Sequence, residues 1–237
     1  MNRTLFTLLT VIVFSLPAAA GDNDADAKGA HDISWGVKLG FTSCSTYLSS
    51  ASIDGVEFEN YTQNTQLGNF MSAHVQYGRD RFFLQTGLGI SLNKSAFTVD
   101  LAEHDRSATE PEYLELAYRM TGLTIPVQAG FNIVNQEPYH MSLYAGPSMR
   151  IQSIDAYECK ATGGEGYTIS EIPRRMLFGT SFGFNVQTGR TFFNMEYEIV
   201  LSNISKQLLI RKDEFDIPYL QLGRRMGIFS FSYGVLF

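Results

Sequence analysis

The chain has 237 residues, with 18 Lys and Arg against 24 Asp and Glu and a formal net charge of −6. So mild an acidic excess, without grouped basic residues, argues against nucleic acid as a partner, because phosphate binding needs clustered Lys and Arg. Two cysteines and four scattered histidines lack metal-ligand spacing, so neither a metal nor another cofactor is expected.

The chain opens with Arg3, an apolar run from Leu5 to Leu16, Pro17, and then Ala18, Ala19 and Ala20. A basic start, a short apolar core and an A-x-A site describe a secretory signal peptide over 1–20. The run is shorter than the roughly 17 to 25 residues of a spanning helix. No Cys follows the site, so a lipid anchor is not expected. Residues 21–32 read as a flexible periplasmic segment and 33–237 as one barrel domain. After the signal, Gly, Ser, Asn, Gln or a charge interrupts every apolar stretch, which excludes a helical membrane protein. Export places Cys44 and Cys159 where a disulfide can persist, and the sequence leaves open whether they join or stay as two small buried or rim side chains.

From Ile33 onward the dominant signal is a period of two. Trp35, Val37, Leu39 and Phe41 alternate with Ser34, Gly36, Lys38, Gly40 and Thr42. Next come Leu67, Met71, Ala73, Val75 and Tyr77 against Gly68, Ser72, His74 and Gln76, then Leu84, Leu88, Ile90 and Leu92 against Gln85, Gly87, Gly89 and Ser91. The fourth run sets Leu123, Ile125, Val127, Ala129 and Phe131 against Thr124, Gln128, Gly130 and Asn132; the fifth sets Met141, Leu143, Ala145 and Met149 against Ser142, Tyr144, Gly146 and Arg150. In the sixth, Phe178, Phe182, Phe184 and Val186 oppose Gly179, Ser181, Gly183 and Asn185. The seventh opposes Phe193, Met195, Tyr197 and Ile199 to Asn194, Glu196 and Glu198, and the last opposes Phe229, Phe231, Tyr233, Val235 and Phe237 to Ser230, Ser232 and Gly234. Most of these eight strands are long enough for the roughly 9 to 11 residues that a tilted membrane strand needs.

Turn residues join runs two and three (Gly78-Arg79-Asp80-Arg81), four and five (Asn135-Gln136-Glu137-Pro138), and six and seven (Thr188-Gly189-Arg190). The other connections, over 47–65, 95–116, 155–174 and 205–224, are long. Short and long alternate strictly. The fold expected is therefore all-β: an eight-stranded antiparallel up-and-down transmembrane β-barrel with four long extracellular loops and three short periplasmic turns. The apolar set holds most of the large side chains and faces lipid; the polar set faces a narrow interior that side chains fill. A lumen polar network of Lys38, His74, Gln85, Gln128, Arg150, Glu196 and Glu198 follows. A soluble barrel with the faces reversed would expose mostly Gly and Ser, a poor surface in water.

Trp35-Gly36-Val37-Lys38-Leu39-Gly40, Leu123-Thr124-Ile125-Pro126-Val127, Tyr144-Ala145-Gly146-Pro147, and Glu196-Tyr197 followed by Leu201-Ser202-Asn203-Ile204 form recurrent stations in these strands. Together they resemble the PorT-like small outer-membrane β-barrel proteins of Bacteroidota. The resemblance implies an outer-membrane barrel and, through PorT itself, an accessory role in type IX protein secretion. In such barrels the terminal Phe237, with Phe229, Phe231, Tyr233 and Val235 at alternate positions before it, resembles the signal read by the barrel-assembly machinery.

No catalytic set emerges. A lipid-modifying enzyme would need His with Ser and an acid near the membrane rim, yet His74 falls on the inward set, His104 in a loop, His140 beside a turn and His31 in the leading segment. Glu196 and Glu198 are spaced as a glycosidase pair could be, but in a filled lumen they read as partners of Lys38 and Arg150. Gly163-Gly164-Glu165-Gly166 lacks the flanks of a phosphate loop, and the acidic stretch 103–115 reads as solvated loop. Arg174, Arg175, Arg224 and Arg225 stand where strands begin at the outer rim, placed to contact lipopolysaccharide phosphates or to act as interfacial anchors. The leading expectation is a non-enzymatic barrel whose loops contact host or envelope partners, beside an accessory secretion role or a lipid-modifying activity. The partners expected are outer-membrane lipids, the assembly machinery, and other envelope or secretion proteins.

Overall fold

A computed structural model describes residues 32–53, 56–57, 61–79, 81–100, 113–161, 167–212 and 220–237. The strands are β1 (Asp32–Ile53), β2 (Val56–Glu57), β3 (Tyr61–Arg79), β4 (Phe82–Asp100), β5 (Tyr113–Gln136), β6 (Tyr139–Ala161), β7 (Tyr167–Pro173), β8 (Met176–Thr188), β9 (Thr191–Val200), β10 (Ser205–Lys212) and β11 (Leu220–Leu236). Eight of them, in the order β1-β3-β4-β5-β6-β8-β9-β11, form a continuous antiparallel wall, and β11 pairs back onto β1 to close it. Closure leaves no free edge among these eight, as hydrocarbon requires of a β structure. At the seam the Phe237 N–H donates to Trp35 O at 2.8 Å, and the two rings stack with centroids 4.3 Å apart.

The period-two reading holds on both faces. Leu39, Leu67, Phe82 and Phe178 are among many large apolar side chains that point outward and stay exposed, Leu67 at 73%. Such a belt would aggregate in water and is at home in lipid. Inside, three aromatic rings lie flat against glycines of the next strand: Phe83 on Gly130, Tyr144 on Gly183, and Phe192 on Gly234. A Cβ at Gly130 would stand 2.0 Å from the Phe83 ring, so the narrow bore admits those rings only where the opposite residue has no side chain.

Two features differ from the sequence reading. The described parts of the long connections are largely β structure: β5 has 24 residues and β6 has 23, far beyond what a bilayer needs, and β7 pairs with β10 to make further sheet. The amphipathic signal stops where lipid stops, because outward residues there can be polar while the backbone pairing continues. The interior is also not uniformly polar. Leu116, Met120, Leu177, Ile204 and Met226 are almost wholly buried at the end where the long connections lie.

The wall is interrupted in places: between β3 and β4 the pairing jumps from Thr65/Ser95 to Asn69/Leu92, and β5 has a gap toward each of its neighbours. Between β4 and β5 the pairing stops at Thr86/Val127 and resumes at Gly89/Thr124; between β5 and β6 it stops at Pro126/Ser148 and resumes at Ala129/Ala145. Pro126 and Pro147 have no N–H to give. Between β4 and β5 a hydroxyl acts instead: Thr86 Oγ1 donates to Pro126 O at 2.9 Å, while Thr180 Oγ1 of β8 donates to Gly146 O at 3.2 Å alongside a β6–β8 ladder that stays continuous. Thr86→Val removes one such donor at nearly constant shape. It should lower unfolding stability by about 1 kcal/mol in urea titrations of the refolded barrel, whereas Thr98→Val, at a fully laddered position of β4, should change it by less than half as much.

Candidate functional site

Period two sends alternate residues of each strand into the bore, and β9 sends two carboxylates, Glu196 and Glu198. Each meets a cation from another strand. Lys38 Nζ on β1 donates to Glu196 Oε2 at 3.0 Å and to Asn194 Oδ1 at 3.2 Å. Tyr144 OH donates to Glu196 Oε2 at 3.0 Å, and Gln128 Nε2 donates to Glu196 Oε1 at 3.2 Å and to Ser181 Oγ at 2.6 Å. Gln85 Nε2 extends the layer to Gln128 Oε1 at 2.5 Å.

Above it, toward the long connections, Arg150 Nη2 donates to Glu198, and Arg150 Nη1 donates to Ser91 Oγ at 2.8 Å. Ser148 Oγ donates to Glu198 Oε1 at 2.9 Å, while Thr42 and Asn93 carry the chain of bonds on to Ser91. A third layer joins Thr46 to Ser95 and Tyr118, and the Arg224 guanidinium lies 4.6 Å over the Tyr118 ring centroid while donating to Glu171 Oε1 at 2.6 Å. Among the described residues three ion pairs, the first part-buried and the other two buried, thus tie β1 to β9, β6 to β9, and β7 to β11.

A cavity of about 90 Å³ runs beside these layers, lined by Lys38, Ser72, His74, Gln85, Asn185 and Glu196 among others. Ser72 Oγ, His74 Nδ1 and Asn185 Oδ1 are buried there without a hydrogen-bonding side chain or backbone group. So small a polar space suits ordered water and not a sugar or a lipid. A wider vestibule of about 500 Å³ opens at the short-turn end, lined by Arg79, Asn132, His140, Gln187, Arg190 and Phe237. Both spaces touch Gln76, Ser142, Asn185 and Leu236, so they adjoin.

The placements of the remaining sequence candidates differ. His74 packs edge-on against Phe192, with centroids 5.5 Å apart, and His140 bonds Asn135 at 2.7 Å. His31, His104, residues 1–20, Gly163-Gly164-Glu165-Gly166 and most of the acidic stretch lie outside the described residues. Cys44 is a buried free thiol in the bore, and Cys159 sits opposite Leu116 in β6 with its side chain outside the description. Phe229, Phe231 and Tyr233 on β11 and Phe237 just after it are exposed, with Val235 half-buried between them.

Arg224 is a correction. Expected at lipid headgroups, it is 0% exposed and committed to Glu171 and Tyr118. Consecutive strand residues face opposite ways, so Arg224 and Arg225 cannot both point outward. Arg174 and Arg175 do both stand exposed, because they occupy the break between β7 and β8. The apolar plug of Leu116, Leu177, Ile204 and Met226 has no sequence signal of its own, since an inward apolar residue merely blurs the alternation.

A buried carboxylate that loses its cation costs about 3 to 5 kcal/mol, whereas removing both partners costs much less. Lys38→Met alone should therefore destabilise strongly. Combined with Glu196→Gln it should recover more than half of that loss, read from urea midpoints by heat-modifiable gel mobility.

The sequence profile described as "Outer membrane protein beta-barrel domain" matches residues 20–206. Among curated proteins none matches. Among solved structures the chain resembles the outer membrane protein OprG from Pseudomonas aeruginosa, with a TM-score of 0.52 and 9% identity over 90% of this chain and 99% of that one. It also resembles the outer membrane protease OmpT from Escherichia coli (TM-score 0.45, 9% identity, 90% and 99% covered) and Neisserial surface protein A (0.39, 12%, 85% and 96%). At 9% identity the likeness to OprG speaks to the barrel fold and not to an activity.

Proposed function

Since the chain belongs to the outer membrane protein beta-barrel domain family and resides in the outer membrane, we propose that it is a non-enzymatic barrel whose outward surface binds envelope or host partners. The filled bore carries this reading. Ion-paired layers and the plug of Leu116, Met120, Leu177, Ile204 and Met226 occupy the space a solute would need. The chain instead extends its strands past the apolar belt and adds the β7–β10 pair at the long-loop end, which faces outward in barrels of this kind. His74 lies inside, against Phe192, away from any acyl chain in the bilayer. On this reading outer-membrane lipids surround the belt and the assembly machinery reads the outward aromatic series ending at Phe237.

A second reading, an accessory part of type IX secretion, is favoured by the PorT-like stations Trp35–Gly40 and Glu196–Ile204. A deletion strain separates the two. With surface binding as the role, the strain keeps cargo export and an unchanged lipid A mass spectrum, and the purified barrel gives no conductance steps in planar bilayers. Lost export would support the secretion role, altered lipid A acylation would support an enzyme, and steady ion conductance would overturn the filled-bore reading.

A further inference from the structure

Four exposed cations gather at the outer rim from three separate chain segments: Arg174 and Arg175 between β7 and β8, Lys206 at the start of β10, and Arg225 on β11. The backbone fixes them side by side. The Arg174 N–H donates to Ile204 O at 2.9 Å, and the Ile204 N–H donates to Arg224 O at 2.8 Å. Gln152 N–H holds Arg175 O at 2.8 Å, and Arg225 Nε donates to Asn203 Oδ1 at 3.2 Å. Glu171, which sits on the same stretch, is buried and turned to Arg224, so its charge does not neutralise the exposed group.

Directly on the membrane side of these cations lies an apolar step. Met176 follows Arg175 and is 51% exposed; Phe178 and Leu201, joined by the Leu201 N–H to Phe178 O bond at 2.9 Å, are 57% and 56% exposed. We infer that this rim is a docking site for one phosphorylated glycolipid of the outer leaflet. The guanidinium groups hold its phosphates, and Met176, Phe178 and Leu201 bear its acyl chains. Arginine suits the role because its planar fork gives a phosphate two hydrogen bonds at once. The apolar step favours a lipid over a soluble polyanion, which would gain nothing from it.

The test uses the full-length folded protein in detergent, titrated with bisphosphorylated lipid A and with its dephosphorylated form, and read by native mass spectrometry. The phosphorylated lipid should bind about tenfold more tightly, as expected if roughly one charge-assisted contact's worth of affinity survives screening. R174Q/R175Q/R225Q should erase that preference, while R79Q/R190Q at the opposite rim should keep it. Equal binding of the two lipids, an unchanged preference in the triple variant, or displacement of the lipid by a soluble sulfated oligosaccharide would overturn the proposal. Heat-modifiable gel mobility verifies that each variant is folded. If the triple variant fails that check, R225Q alone decides: about a threefold loss supports the site and no loss refutes it.

Discussion

A peptide chain crossing hydrocarbon finds no water for its amides and carbonyls, and everything else in this molecule follows from meeting that demand. The wall must close on itself, so β1 and β11 meet and Phe237 bonds Trp35 near the start of β1. Closure with eight strands fixes a bore too narrow to stay open, which side chains must fill. Outward positions must be apolar. The inward ones are then the only place in the membrane-spanning part where charge can reside.

Putting charge there is costly unless each ion is matched, and the bore matches them across long sequence distances. Glu196 accepts from Lys38, Tyr144 and Gln128, which come from three different strands, so the carboxylate is satisfied only when the whole circle has formed. Replacing such groups by apolar ones can leave stability unchanged or raise it. Their contribution is then to register: a strand slipped by one residue would send Glu196 and Glu198 into lipid and bring Met195 and Tyr197 inside.

Legibility in the sequence follows from the same physics. The eight runs stand out because lipid and lumen impose opposite polarity on neighbouring residues, and Lys38, Arg150, Glu196 and Glu198 stand out because each interrupts an otherwise apolar or small stretch. Beyond the bilayer that contrast vanishes, which hides the outer halves of β5 and β6 and the whole of β7 and β10. Phe83 and Phe192 are hidden for another reason. Their inward placement depends on Gly130 and Gly234, which lie far away in sequence, and one chain alone does not reveal that correspondence. The turn of Arg224 into the bore likewise depends on Glu171, which is 53 residues away.

The stretch around Pro126 and Pro147 bears on how the wall would yield under load. Along a continuous ladder neighbouring strands are laced amide to carbonyl, so a force that shears them meets many bonds at once. Here the ladders from β5 to both β4 and β6 are broken, and the Thr86 hydroxyl on its rotatable side chain bridges β4 to β5. Such a joint gives before its surroundings do. The cylinder is therefore softer along the lines where β5 meets β4 and β6 than at the seam between β1 and β11, whose pairing runs unbroken from Gly36/Leu236 to Leu48/Arg224, and a pull applied across the barrel would find compliance at β5 before it did at that seam.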